Sequence, residues 1–258
     1  MDINYQRGGA KFTSLVEKIQ RRNVSVVKSE FSEEFRIFSE ILDTMYSIVS
    51  EFAWAIKNPH IADLNAANTV LFSAVHKNFI ALHASLKLTS VGLYGPARSI
   101  FRHTYEALLI AKFCSVSADT LIYEKWKEGD IVRLANGVLK KIKHPDTEFL
   151  FEFWGLMSEY SHATIYSQQI SLNIENKPNE VPLNFVYLSI LLECLYHLIN
   201  RHLITSSMIY YTRRYRRGAD TLASLKKKMR MLLEESRAGL PVTPKKIIRS
   251  YCAEWQLR

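Results

Sequence analysis

Apolar residues recur at helical spacing along nearly the whole chain. Between Ser32 and Pro59 they follow a period of three to four residues, and acids at the start of this segment mark a helix N-terminus. The same pattern predicts helices over residues 10–22, from about 62–65 to 92, and over 95–115, 117–143, 147–162, 184–213 and 221–237. We therefore predict an all-α fold, a bundle of about six to seven helices with short connections.

One internal stretch departs from this pattern. Residues 163–183 alternate apolar and polar positions and then run into Asn, Lys and Pro, which predicts an irregular loop with room for a short hairpin. The pattern divides the chain into three parts. They are an N-terminal arm with a short helix (1–30), a helical bundle core (31–212) and a basic C-terminal helical extension (213–258).

Composition narrows the class of protein. With 9 Gly and 7 Pro in 258 residues, the chain lacks the turn density of an all-β protein. Three cysteines are too few for a disulfide framework and fit a reducing compartment. The N-terminus has no apolar secretory signal, and the most apolar stretch, 186–199, contains Glu193 and is too short to span a bilayer. We expect a cytoplasmic protein without a transmembrane segment.

The positive charge is concentrated at the C-terminal end. Residues 200–258 hold 14 Lys and Arg against 4 Asp and Glu, a net charge of +10, whereas residues 1–199 hold 20 against 21, a net charge of −1. The basic runs are Arg213, Arg214, Arg216, Arg217, Lys226, Lys227, Lys228 and Arg230. Such a segment attracts nucleic acid, an anionic membrane surface or an acidic partner. The alternative is a solvated helix face that only maintains solubility.

The helix predicted over 95–115 carries the residues best suited to binding or catalysis. Arg98, Ser99, Arg102, His103 and Glu106 share one broad face of its first turns. The later turns are apolar on most sides, so we expect the helix to be buried and its polar half to line a cleft or an interface. Arg102 and Glu106 can pair at i,i+4, which leaves Arg98 to bind a ligand carboxylate or phosphate. The alternative is a structural ion-pair network that joins helices.

A second polar spot lies at the end of the helix predicted over 147–162. His162 can act as an acid or base, or as a helix-end residue that binds free carbonyls. Glu159 and His162 match half of a di-iron site, but the chain has no second motif of this spacing, so we predict no metal and no cofactor. We interpret His76 and His83 as partly buried packing residues.

A family resemblance appears in residues 92–107, GLYGPARSIFRHTYEA. This stretch resembles the signature of domain-of-unknown-function family 5677, bacterial helical proteins in which a turn of small residues leads into a helix with an A-x4-R-x3-E pattern. Ala97, Arg102 and Glu106 fit that pattern. The later Tyr160-Ser161-His162 is also similar to the family. The helical layout predicted from about residue 60 to 212 is compatible with this resemblance.

Arg98 and His103 also fit the R-x4-H mark of the broader HEPN superfamily, with a polar residue directly after the Arg. This resemblance implies a metal-independent endoribonuclease or toxin of a bacterial defence system, with its site assembled across a homodimer. His103 would then act as general base or acid on the RNA 2′-hydroxyl, and Arg98 would stabilise the phosphate. Arg102 and Glu106 would orient them. The basic extension would bind the backbone of RNA in preference to DNA.

Two other function classes stay open. The first is a non-catalytic helical module that binds nucleic acid or a protein partner through the basic segment. The second is a sensor in which Arg98 and Arg102 bind an anionic metabolite.

Overall fold

The computed structural model of the protein describes residues 12–56, 66–116, 120–130, 132–141, 147–161 and 180–199, together with Lys227. Within these ranges lie seven α-helices, α1 (Phe12–Glu30), α2 (Ser32–Ile56), α3 (Ala66–Ser90), α4 (Tyr94–Val116), α5 (Thr120–Glu128), α6 (Thr147–Ser161) and α7 (Glu180–Leu198), and a π-helical turn, Leu134–Leu139. The described part of the chain contains no strand, and the predicted all-α helical bundle is confirmed.

Helices α3 and α4 form an antiparallel hairpin, the most extensive helix–helix contact among the described elements. Gly92 ends α3 with a φ of 83°. The amide of Leu93 donates to the carbonyl of Leu88 at 2.9 Å and that of Gly92 to Thr89 at 3.2 Å, which is the Schellman arrangement of a helix C-terminus. The Asn23 side chain donates to the carbonyl of Val91 at 3.2 Å and so joins α1 to this turn.

Helix α7 lies at the centre of the bundle. Every described side chain after Glu180 is buried, as expected for a helix that is apolar on all sides. The ring of Phe185 packs against Phe31, Phe35 and Phe38, with centroids 5.1 to 5.7 Å apart. No helix in the described ranges combines the length and the apolar character needed to cross a membrane.

The single helix predicted over 117–143 is wrong. Helix α5 ends at Glu128, because Gly129 adopts a φ of 80° and the amide of Asp130 donates to the carbonyl of Lys125 at 2.8 Å, a second Schellman arrangement. The π-helical turn follows as a separate element.

The start at residue 184 of the helix predicted over 184–213 is also wrong, because α7 begins at Glu180. Pro182 is the third residue of α7. Its missing N–H is not needed there, since the first turn of a helix has no intrahelical acceptors for its amides. Residues 180–183 therefore belong to α7. The rest of the predicted loop and the basic extension, apart from Lys227, lie outside the described residues.

Candidate functional site

Arg98 lies in the interior of the bundle, between α4 and α7. Its side chain has 0% exposure to solvent. The guanidinium forms an ion pair with Glu180, and its Nε donates to Asn184 Oδ1 at 2.7 Å. The guanidinium carbon also lies 5.7 Å from the centre of the Tyr187 ring, within cation–π range. The anion that binds Arg98 is thus a carboxylate of the same chain.

The polar contacts of Arg98 continue onto α3. Asn184 Nδ2 donates to the hydroxyl of Thr89 at 3.1 Å, and that hydroxyl donates to the carbonyl of Ser85 at 2.9 Å. Arg98, Asn184 and Thr89 are all fully or almost fully buried. We call Arg98, Glu180, Asn184 and Thr89 the Arg98 network. It joins α3, α4 and α7 at one end of the bundle, which is the geometry of a structural ion-pair network.

Tyr94 closes the end of the bundle next to this network. Its side chain is 4% exposed, and its hydroxyl has no hydrogen-bond partner in the described part of the chain. The pKa of Tyr94 is raised to about 12. The main cause is burial, since a buried phenolate loses its hydration; the Glu180 carboxylate adds to the rise and Arg98 opposes it. The phenol is therefore held neutral beside the Arg98–Glu180 pair.

Replacement of Tyr94 by Phe tests this description. At pH 7 we expect Tyr94→Phe to leave the melting temperature within about 1 °C, because the lost hydroxyl makes no hydrogen bond to any described residue. The pKa of Tyr94 is raised above its ordinary value near 10, so its stabilising contribution is complete below pH 10 and is lost as the pH rises towards 12. The variant should lose less stability than the wild type over this window, as measured by urea unfolding at each pH.

Tyr105→Phe is the matched control. The Tyr105 hydroxyl is buried and donates to the carbonyl of Leu150 at 3.2 Å, so its removal should cost about 1 kcal/mol at pH 7. Equal effects of the two substitutions at pH 7 would contradict the different bonding of the two hydroxyls.

Arg102 and Glu106 pair as their spacing predicts, with Nε and Oε1 3.0 Å apart. The same carboxylate oxygen accepts a hydrogen bond from the indole N–H of Trp154 on α6 at 3.1 Å. Both charged side chains are partly exposed, at 17% and 26%. Glu106 therefore connects α4 to α6 and neutralises Arg102 at the same time.

His103 lies on the outer side of α4 and is exposed. At about 100° per residue, His103 lies roughly 140° around the helix from Arg98. The Arg98 side chain is therefore in the interior, whereas the His103 side chain is in solvent. The polar face of α4 is thus divided among α7, α6 and water instead of lining one cleft. Within a single chain, Arg98 and His103 do not meet.

The other predicted site residues are placed as follows. His162 and the basic runs that contain Arg213, Arg214, Arg216, Arg217, Lys226, Lys228 and Arg230 lie outside the described residues, and Lys227 is exposed. Sequence analysis missed Glu180 and Asn184, the partners of Arg98. Their i,i+4 spacing places them on one helix face, but residues 163–183 had been assigned to a loop.

Neither a metal-binding cluster in the described residues nor a comparison with known proteins adds residues to the site. In the ranges given above, no group of three or more His, Cys, Asp or Glu side chains is arranged to hold a metal ion. The chain matches no protein-family model, no curated protein and no solved structure. Functional interpretation therefore depends on the chemistry of the side chains themselves.

Proposed function

We propose that the protein is a non-catalytic α-helical module that binds single-stranded RNA through its basic C-terminal segment. The observation that carries this proposal is the separation of charge, +10 over residues 200–258 against −1 over residues 1–199. A segment of this charge releases counterions when it contacts phosphates, which gives affinity without sequence preference. Tyr210, Tyr211 and Tyr215 alternate with its arginines and provide rings for unpaired bases, so RNA loops and single strands are favoured over duplex DNA.

The burial of Arg98 supports a non-catalytic role. A catalytic arginine must contact the scissile phosphate, whereas Arg98 is enclosed and paired with Glu180. Removal of one partner from a buried ion pair costs about 3–5 kcal/mol. A conformation that releases Arg98 would therefore be rare, unless bound RNA contributed a comparable free energy.

The second candidate is the HEPN-like metal-independent ribonuclease or toxin implied by the R-x4-H spacing. One observation favours it, which is the exposure of His103 beside the partly exposed Arg102–Glu106 pair. In this function His103 would move the proton of the 2′-hydroxyl, and a homodimer would bring the residues of two chains together. The buried position of Arg98 makes this candidate the weaker of the two.

The proposed function is tested by RNA binding to a variant of the full chain in which Arg213, Arg214, Arg216 and Arg217 are all replaced by Gln. We expect its dissociation constant for an unstructured RNA of about 20 nucleotides to rise far above that of the wild type. If each arginine contacts one phosphate, the slope of log K against log salt should fall by about 2.8 between about 50 and 200 mM salt. Fluorescence anisotropy measures both quantities.

A control variant removes the same number of charges elsewhere. Lys18, Arg21, Arg22 and Lys28 are exposed on α1, and their replacement by Gln should leave the RNA affinity almost unchanged. Equal losses in the two variants would contradict the proposal that the C-terminal segment is the binding site. RNA should also stay intact in EDTA. Cleavage by the wild type that His103→Ala abolishes would overturn the non-catalytic proposal in favour of the ribonuclease.

A further inference from the structure

The chain has an acid-free stretch that coincides with the α3–α4 hairpin. No Asp or Glu occurs between Asp63 and Glu106, a gap of 42 residues, although the chain average of 25 acids in 258 residues would place about four there. The same gap contains Lys77, Lys87, Arg98 and Arg102. The hairpin is therefore a locally cationic stretch within residues 1–199, whose overall net charge is −1.

The exposed side of α3 carries two lysines and two histidines. His76, Ile80, His83 and Lys87 are exposed and follow one another at intervals of four, three and four residues, so they form one stripe along the helix. Lys77 is exposed beside them. The prediction that the two histidines are partly buried packing residues is wrong, because the buried side of α3 is occupied by its contacts with α2, α4 and α7.

Helix α4 adds one exposed ionisable side chain to the hairpin, that of His103. The two helices are antiparallel neighbours joined by residues 91–93, and both turn their buried side towards α7, through Thr89 and Arg98 to Asn184. We call the exposed ionisable residues of the two helices the hairpin surface; they are His76, Lys77, His83, Lys87 and His103. The nearest acid in α4, Glu106, already accepts hydrogen bonds from Arg102 and Trp154.

We propose that the hairpin surface is a second contact surface for the phosphate backbone of single-stranded RNA, separate from the C-terminal segment. The class of ligand rests on the proposed function, whereas the location follows from the described helices alone. Ammonium and imidazole groups are N–H donors suited to phosphate oxygens. The stripe from His76 to Lys87 extends about 17 Å along the axis of α3. It can contact several phosphates of a stacked strand, which are about 3.4 Å apart along its axis.

The composition of this surface favours RNA over a protein or a membrane. Protein–protein interfaces are enriched in aromatic residues and depleted in Lys. Among the described side chains of α3 and α4, no Phe, Tyr or Trp is exposed, while two lysines are. A membrane-binding helix would also need a continuous apolar face, and the stripe offers only Ile80.

The test is a full-length variant in which Lys77 and Lys87 are replaced by Gln. For one phosphate contact per lysine, the slope of log K against log salt should fall by about 1.4, and the RNA affinity at 0.1 M salt should fall by about 25-fold. Lys125→Gln with Lys127→Gln is the matched control. These two lysines are exposed on α5 among Glu124 and Glu128, and Lys127 lies 4.0 Å from Glu124, so their removal should change the RNA affinity less than twofold.

The outcomes separate this inference from the proposed function. An unchanged affinity of the Lys77/Lys87 variant, together with weak binding by the C-terminal variant, would overturn the hairpin surface and leave the proposed function intact. The reverse result would keep the hairpin surface and remove the C-terminal site. Absence of RNA binding by the wild type would overturn both. The affinity of the Lys77/Lys87 variant for poly-glutamate is measured as well. If this variant loses as much affinity for poly-glutamate as for RNA, the assignment to RNA is overturned, because a phosphate-specific surface should not bind an acidic peptide.

Discussion

Replacement of Gly92 by Ala is expected to lower the free energy of unfolding by roughly 3–5 kcal/mol, through backbone strain and overpacking together. Gly92 has a φ of 83°, a region that side chains with a Cβ rarely adopt. A Cβ built at this position would lie 1.8 Å from the Asn23 amide nitrogen. The variant must therefore either strain the α3–α4 turn or displace the Asn23 side chain from its contact with this turn.

Gly129→Ala provides a matched control for this experiment. Gly129 ends α5 with nearly the same φ, 80°, but a Cβ there would meet no atom of the described residues within 4 Å. Its replacement should cost only the strain of the positive φ, about 1–2 kcal/mol. Urea unfolding followed by circular dichroism at 222 nm measures both free energies. Equal losses in the two variants would contradict a specific role for the contact between Gly92 and Asn23.

The double variant Asn23→Ala, Gly92→Ala shows why Gly92→Ala should lose more stability than Gly129→Ala. Without the amide, the new Cβ has room, so the double variant should be more stable than Gly92→Ala alone. The hydrogen bond from Asn23 to the carbonyl of Val91 is lost in both, since the clash already breaks it. The remaining deficit should exceed that of Gly129→Ala only by the lost hydrogen bond, about 1 kcal/mol.

The helices that were predicted well are those with two independent signals. Helix α2 begins at Ser32 with acids in its first turn, and α4 begins near Pro96, as N-terminal preferences predict. Helix α5 was extended too far because hydrophobic periodicity does not register a single residue of positive φ such as Gly129. The start of α7 is predicted too late because the loop predicted over 163–183 includes the first turn of this helix, which begins at Glu180. Local signals thus predict where helices lie but misplace ends set by one backbone angle.

The candidate site was predicted in its chemistry but not in its partners. Sequence analysis expected Arg98 to bind an anion or to join a structural ion-pair network, and the anion in the structure is Glu180, 82 residues along the chain. Periodicity reports which face of a helix is buried, but it cannot report which distant helix packs against that face. The pairing of Arg102 with Glu106 needed only i,i+4 spacing, so it was predictable from sequence.

The Arg98 network leads to the second large effect, that of Arg98→Met. We expect this substitution to lower the free energy of unfolding by about 3–5 kcal/mol, because it leaves the Glu180 carboxylate and Asn184 Oδ1 without the cation that pairs them. Arg102→Met should cost about 1 kcal/mol, since Arg102 is partly exposed and Glu106 keeps the hydrogen bond from Trp154. Urea unfolding of the two variants measures this contrast.

A second substitution separates an ion-pair role from simple packing. In Arg98→Met, the unpaired carboxylate of Glu180 is the costly group, so Glu180→Gln should restore part of the lost stability in that background although it destabilises the wild type. A change of sign of this kind is the signature of a coupled buried pair. If Arg98→Met instead unfolds at the same urea concentration as the wild type, Glu180 does not hold the guanidinium. Arg98 would then be available to an external phosphate, and the ribonuclease would become the stronger candidate.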